Sequence, residues 1–382
     1  MNDILKKRVK KILGVKNLDL INKIFHNLHE IRLNLFFKYH FGRLIILNFF
    51  FMRRTILNRA KPRNKRHVLF VTEKWFECNP MMGRSNTEHN LLGSLEASGL
   101  ATQDQFHYDE YCLQYHRPCD AALLQLCMET EPDILIFSQP DAYAPRWETF
   151  GLIRKRLGIP VVVIWWDFLP DAESILQYVD LNIVLQSVYL KETSHPEKYL
   201  LMWTPQDPRI YYNPNLIRDI NISFIGDKNK PDRLKGICAL NNNSLNVYLS
   251  GGMRDHRLTS DEYAHVHMRS KIALNFSGGG FWSDEARFRV HHAKGRIFES
   301  TLCGAMLLES DNPETKIWFE PMVDYVPFSN ETDLIEKVKY YLEHDVEREI
   351  IAANGYQKAK KMYNCEKFWM IVFAKIFDSN FA

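Results

Sequence analysis

Four short apolar runs punctuate the first half of the chain: His67 to Thr72 (HVLFVT), Asp133 to Phe137 (DILIF), Pro160 to Trp165 (PVVVIW) and Leu181 to Leu185 (LNIVL). Continuous rather than alternating hydrophobicity marks strands buried on both faces, the condition of parallel sheets sandwiched between helices. Between the runs lie stretches of helical periodicity at about 85–97, 120–129 and 147–157. Strand and helix in alternation predict an α/β fold with a doubly wound sheet. After the Pro-punctuated segment Thr204–Pro214 the pattern restarts, with strands expected at 222–225, 246–249, 272–276 and 306–308 and helices at 231–240, 260–269 and 294–302. Helices at 332–342, 346–362 and 366–377 close the chain. At 382 residues a single core has normally stopped growing. The expectation is two Rossmann-like domains, 67–214 and 215–365, with residues 366–382 as a helix crossing back to the first.

Ahead of them stands a segment of different chemistry. Residues 1–66 carry 17 Lys and Arg against Asp3, Asp19 and Glu30, a charge of +14 in a chain whose total is +3, so the remainder carries −11. Ile4, Leu5, Val9, Ile12 and Leu13 recur at helical spacing opposite Lys6, Lys7, Arg8, Lys10 and Lys11. The apolar stretch Leu33–Met52 is broken by Lys38, His40, Gly42 and Arg43, which makes it a poor membrane span and a poor signal sequence. A basic amphipathic arm over residues 1–59 fits an anionic membrane surface; its alternative is packing on the acidic body. Nucleic acid is not expected, because the arm is too apolar and no base-reading motif is present. The seven cysteines form no CxxC pair and read as reduced thiols of a cytoplasmic protein, peripheral on the inner face of the membrane.

Ligands of doubly wound sheets sit beyond the carboxyl ends of the strands. Three second-domain strands end in glycine: Phe224-Ile225-Gly226-Asp227-Lys228, Leu249-Ser250-Gly251-Gly252 and Asn275-Phe276-Ser277-Gly278-Gly279-Gly280. Glycine there lets backbone N–H groups approach an anion closely. The sharpest element is Lys294-Gly295-Arg296-Ile297-Phe298-Glu299, opening a helix that Gly304 ends. A carboxylate at Glu299 can accept hydrogen bonds from vicinal hydroxyls, while Lys294 and Arg296 meet a diphosphate with the helix dipole. The competing reading of Arg296 and Glu299 is a surface ion pair three residues apart.

The run KGRIFESTLCGAMLLES, then FEPMVDYVPFSNETDLIEKVKYYLEH and EREIIAANGYQKAKKMY, resembles the C-terminal signature of CgeB-like glycosyltransferases within the GT-B class. The resemblance spans about 222–363 and implies two Rossmann-like domains facing a cleft. It also implies metal-independent transfer of a sugar from a nucleotide donor, which is a co-substrate rather than a cofactor, to a glycan or lipid-linked acceptor. On this resemblance Glu299 holds the donor ribose, and Lys294 and Arg296 the diphosphate. Lys228 and Arg233 add phosphate-binding cations beside Gly226, Gly251, Ser277 and Gly278. Many retaining relatives carry a Glu eight residues before the ribose-binding one; His291 stands there, which weakens a retaining mechanism. Met81-Met82-Gly83-Arg84 is similar to the glycine loop that faces the donor phosphate from the first domain. The base expected from that domain is Asp167, directly after VVVIWW, with Asp141 and Glu73 in equivalent positions behind their own strands. The histidine pairs 265/267 and 291/292 lack a reason to bind metal, and no metal is expected. A noncatalytic protein reusing the fold, and a nucleotide-sugar epimerase or hydrolase, are the alternatives.

Overall fold

A computed structural model describes residues 64–138, 141–167, 172–251, 257–277 and 291–378, all within one compact unit, Asn64–Ala382. Among them are two all-parallel sheets. The first contains β1 (Arg66–Thr72), β2 (Ala101–His107), β3 (Ile134–Ser138), β4 (Val161–Trp165), β5 (Leu181–Val184) and β6 (Tyr199–Leu201) in the order 2-1-3-4-5-6. Its helices are α1 (Ser94–Ser98), entered through a wide π turn at Glu88–Gly93, α2 (Tyr108–Tyr115), α3 (Asp120–Thr130), α4 (Trp147–Leu152) and α5 (Val188–Glu192). β3 and β4 are buried along their whole length, as their unbroken apolar runs require.

The second sheet contains β7 (Ile220–Ile225), β8 (Tyr248–Ser250), β9 (Ser270–Asn275), β10 (Met306–Ser310) and β11 (Val326–Phe328) in the order 11-10-9-7-8. Around it lie α6 (Pro231–Asn242), α7 (Ser260–Arg269), α8 (Arg296–Leu302), α9 (Thr315–Trp318), α10 (Glu331–Glu343) and α11 (Asp345–Met362), while α12 (Cys365–Phe377) packs against α1 of the first half. Sequence chemistry sets their starts. Pro231 occupies the first turn of α6, where no N–H is missed. Thr259 and Glu262 form a reciprocal capping box on α7.

Three strands were not expected from the sequence. β2 reads ATQDQFH and pairs on one side only, so its side chains are half-buried and its pattern is polar. β6 and β11 are three-residue edges. The helix expected at 85–97 begins at Glu88, and α2 was not anticipated.

The halves share a core. Val68, Phe70, Ile136 and Ile164 of the first sheet pack in one cluster with Ile297 and Phe298 of α8 and Phe368, Trp369 and Val372 of α12. Trp369 donates its indole N–H to Ser94 Oγ at 3.0 Å and lies edge-on to Phe70. Burying each such ring contributes about 1.5–3 kcal/mol. Glu314, just before α9, takes hydrogen bonds from the backbone N–H and hydroxyl of Ser187 at 2.8 and 2.6 Å, tying the ends of β5 and β10. Among the described residues no helix is long and apolar enough to cross a membrane. The basic arm lies outside the described residues.

Candidate functional site

Where β7 ends, Gly226 adopts φ +149°, and a Cβ placed there would stand 2.5 Å from Arg296 Nη2. Gly251, at φ +77°, closes on it from the end of β8, leaving 3.2 Å between its own Cβ position and Gly226 N. The two strand ends therefore leave room for a guanidinium, and Arg296 fills it. The first residue of α8, Arg296 lies 5.0 Å from the centre of the Phe224 ring and donates from Nη1 to Asn275 Oδ1 at 2.6 Å.

Arg233, from the first turn of α6, approaches the same ring at 5.6 Å and donates to the Asp227 carbonyl at 2.7 Å. Neither Arg233 Nε nor Arg296 Nε has a hydrogen-bond partner among the described residues. Lys230 and Lys294 complete a group of four cations. Their crowding is visible in their acidities. Burial and then Arg233 lower Lys230; burial and then Arg296 lower Arg233 to about 10. Burial, with Arg233, Lys230 and Arg296, brings Lys294 down to about 7, against an opposing pull from Asp167. Cations held together at the cost of their own charge form a site ready for a polyanion.

Asp167 follows β4 of the first half and favours the charged forms of Lys294 and Lys230, the latter together with Asp227 and Asp232. Its Oδ1 lies 3.9 Å from His292 Nδ1. That imidazole is buried, and both its nitrogens lack hydrogen-bond partners among the described residues. Burial, then Lys294 and Lys230, hold it neutral.

Glu299 is not the exposed member of a surface pair. The side chain is 6% exposed, its Oε2 accepts the Tyr263 hydroxyl at 2.6 Å, and Arg296, Asn90 and Gln206 surround it. Burial raises its pKa above the ordinary carboxylate range. Asn90 comes from the first half, so Glu299 lies where the two halves meet. A deeper carboxyl, Glu309 at the end of β10, accepts from Asn275 Nδ2 at 2.6 Å and is pushed up to about 7 by burial.

The structure thus brings together Gly226, Gly251, Arg233, Lys294, Arg296 and, opposite them, Asp167. Lys228 lies half-buried in the same loop, but the cation placed among the others is Lys230, two residues on. Ser277 binds Ser310 through its N–H and hydroxyl. Gly278 lies outside the described residues. Gly83 ends a short turn at φ +81°, and Arg84 lies over Trp75 and pairs with Glu88 rather than joining the cations. Sequence reading missed Lys230, Asn275, Tyr263 and Glu309. Asn275 lies inside the strand expected at 272–276, so a polar side chain in a buried run was the available signal.

A family model described as glycosyl transferase-like matches residues 233–372, from α6 into α12. No curated protein sequence matches the chain. Among solved structures, Anabaena HepE in complex with UDP and glucose superposes with a TM-score of 0.57 at 11% identity, covering 81% of this chain and 99% of that one. Sucrose-phosphate synthase of Thermosynechococcus elongatus gives 0.55 at 11% identity, covering 82% and 99%. A glycosyltransferase of Rickettsia africae gives 0.55 at 10% identity, covering 83% and 100%. The chain has the GT-B fold, with two parallel sheets flanked by helices.

Proposed function

We propose that the chain is a glycosyltransferase that moves a sugar from a nucleoside diphosphate-sugar donor to a glycan or lipid-linked acceptor. The observation that carries this reading is the convergence of Lys230, Arg233, Lys294 and Arg296 at Gly226, beyond the carboxyl ends of the second sheet. Four cations outnumber the two negative charges of a nucleotide-sugar diphosphate and can receive the further charge that develops on it as the glycosidic bond breaks, without a metal ion. Glu299 accepts the ribose hydroxyls of the donor, exchanging its contact with Tyr263 for them. HepE is solved with UDP and glucose, which makes uracil the first base to try here.

A carboxylate at the strand ends of the first half takes the proton of the acceptor hydroxyl; Asp167 and Glu73 both stand in such positions. The basic arm, residues 1–59, places the enzyme on anionic membrane, peripheral on the cytoplasmic face, where a lipid-linked acceptor would be met.

The test is thermal unfolding with UDP, GDP, dTDP, ADP and CMP, with and without magnesium. A ligand at about 100 times its Kd adds about 2.7 kcal/mol. One nucleoside diphosphate is expected to stabilise the protein equally in either condition; no shift with any of them sinks the reading. Flotation with anionic vesicles tests the arm separately, and an intact chain that stays at the bottom of the gradient removes the membrane proposal.

A further inference from the structure

A second group of ionisable side chains lies on the first half, away from the cations. Glu73 directly follows β1, half-buried, with its Oε1 accepting the Ser85 hydroxyl at 2.6 Å. Facing it are Asp141 from the loop after β3, Asp109 at the start of α2, the thiol of Cys78 and the phenol of Tyr108. Asp109 is fixed by the backbone N–H groups of Lys74 and Trp75 at 2.8 and 2.9 Å, so its charge is structural. Asp141 is exposed. Burial keeps the Cys78 thiol protonated. The hydroxyl of Tyr108 is fully buried with no hydrogen-bond partner among the described residues.

From the second half, Arg257 reaches across. Its guanidinium lies 3.6 Å from the centre of the Phe76 ring, donates to Asn86 Oδ1 at 2.8 Å and is drawn to Glu73 and Glu77. Glu73 therefore lies in the cleft where loops of the two halves touch. Its surroundings differ from those of Asp167. Asp167 faces Lys294 and Lys230, the charges that would hold the leaving diphosphate, and so already serves as their counter-ion.

Resting on the glycosyltransferase reading, we propose that Glu73 is the base that takes the proton of the acceptor hydroxyl, with Asp167 acting as counter-ion to the phosphate cations. In that step the hydroxyl oxygen bonds to the anomeric carbon and its proton passes to the Glu73 carboxylate. The bond from the anomeric carbon to the diphosphate oxygen breaks, and its electron pair leaves with the diphosphate onto the four cations. Glu73 then returns its proton to solvent. Two features suit Glu73 to proton transfer. Its Oε1 is oriented by Ser85, and burial, with Asp141 and Asp109, pushes its pKa up to about 7 against the opposing Ser85 and Arg257. A base works best when its pKa lies near the working pH.

The experiment follows the carboxyl carbons of the whole protein by 13C NMR between pH 5 and 9, together with nucleoside diphosphate release from the matching diphosphate-glucose, water serving as acceptor. Wild type, E73Q, D141N, R257Q and D167N are compared, and nucleotide binding is measured on each. Two carboxyls titrating near 7 are expected, those of Glu309 and Glu73; one of the two signals should vanish in E73Q, whose release rate falls about 10²- to 10⁴-fold while nucleotide still binds. D141N removes a like charge, so the midpoint of both titration and rate moves to lower pH. R257Q removes an attracting charge and moves both to higher pH. Release within threefold of wild type in E73Q, or a rate midpoint unmoved in D141N and R257Q, overturns the assignment. The same holds if D167N alone abolishes the alkaline rise. A wild-type protein that binds no nucleoside diphosphate sinks the underlying reading instead.

Discussion

Asn275 and Arg296 are joined by a 2.6 Å hydrogen bond, and the other end of the same amide donates to Glu309 at 2.6 Å. One side chain at the end of β9 thus aims the guanidinium at the head of α8 and donates to one oxygen of a buried carboxyl at the end of β10. Asn275→Ala releases both. We expect a stability loss of about 1–3 kcal/mol, the usual cost of stranding buried polar partners. Nucleoside diphosphate affinity should fall about tenfold as Arg296 loses its orientation. Denaturant unfolding and calorimetric titration check the two effects, and unchanged affinity would show that Arg296 does not contact the ligand.

Gly226 and Arg296 compete for the same space. A methyl group at Gly226 would meet Arg296 Nη2 at 2.5 Å and would force a side chain into φ +149°. Gly226→Ala should therefore cost about 1–3 kcal/mol of stability and displace the guanidinium. Weakened nucleotide binding, with a folded circular dichroism spectrum, is the expected result.

For Glu299, hydrogen bonds to a charged acceptor are worth about 1.5–3 kcal/mol, so Glu299→Ala should weaken donor binding roughly 10- to 150-fold. Glu299 also holds Tyr263 at 2.6 Å, and Tyr263→Phe separates the two roles. If the carboxylate serves the ribose, Tyr263→Phe leaves affinity largely intact while Glu299→Ala does not. Affinity within twofold of wild type in Glu299→Ala removes the ribose assignment.

Legibility in the sequence followed burial. β3 and β4 are covered on both faces, and their unbroken apolar runs announced them. β2 is an edge strand whose half-buried, polar residues carry no such pattern. At the site, Lys294, Arg296 and Arg233 could be picked out because strand-end glycines and a helix start lie beside them in sequence. Lys228 and Lys230 are two apart in one loop, and the loop's conformation, which decides between them, is not written in composition. Tyr263, Asn275 and Glu309 reach the site from α7, β9 and β10, and only the sheet order brings them there.

Lys294 gives the site a pH dependence of definite sign. Burial and three neighbouring cations lower it from the usual 10.5 to about 7 in the ligand-free protein. Between those values the unfolded chain carries a proton that the native protein lacks, so stability rises with pH across this window and the full penalty is felt below about 7. A bound diphosphate reverses the preference by favouring the ammonium form. Nucleoside diphosphate binding at pH 8 should therefore take up a proton, and affinity should weaken as pH rises from 7 to 9. Calorimetric titrations in two buffers of different ionisation enthalpy count that proton directly. Lys294→Met should bind more weakly, lose the proton uptake and flatten the alkaline gain in stability. Uptake that persists in Lys294→Met would assign the proton to another group.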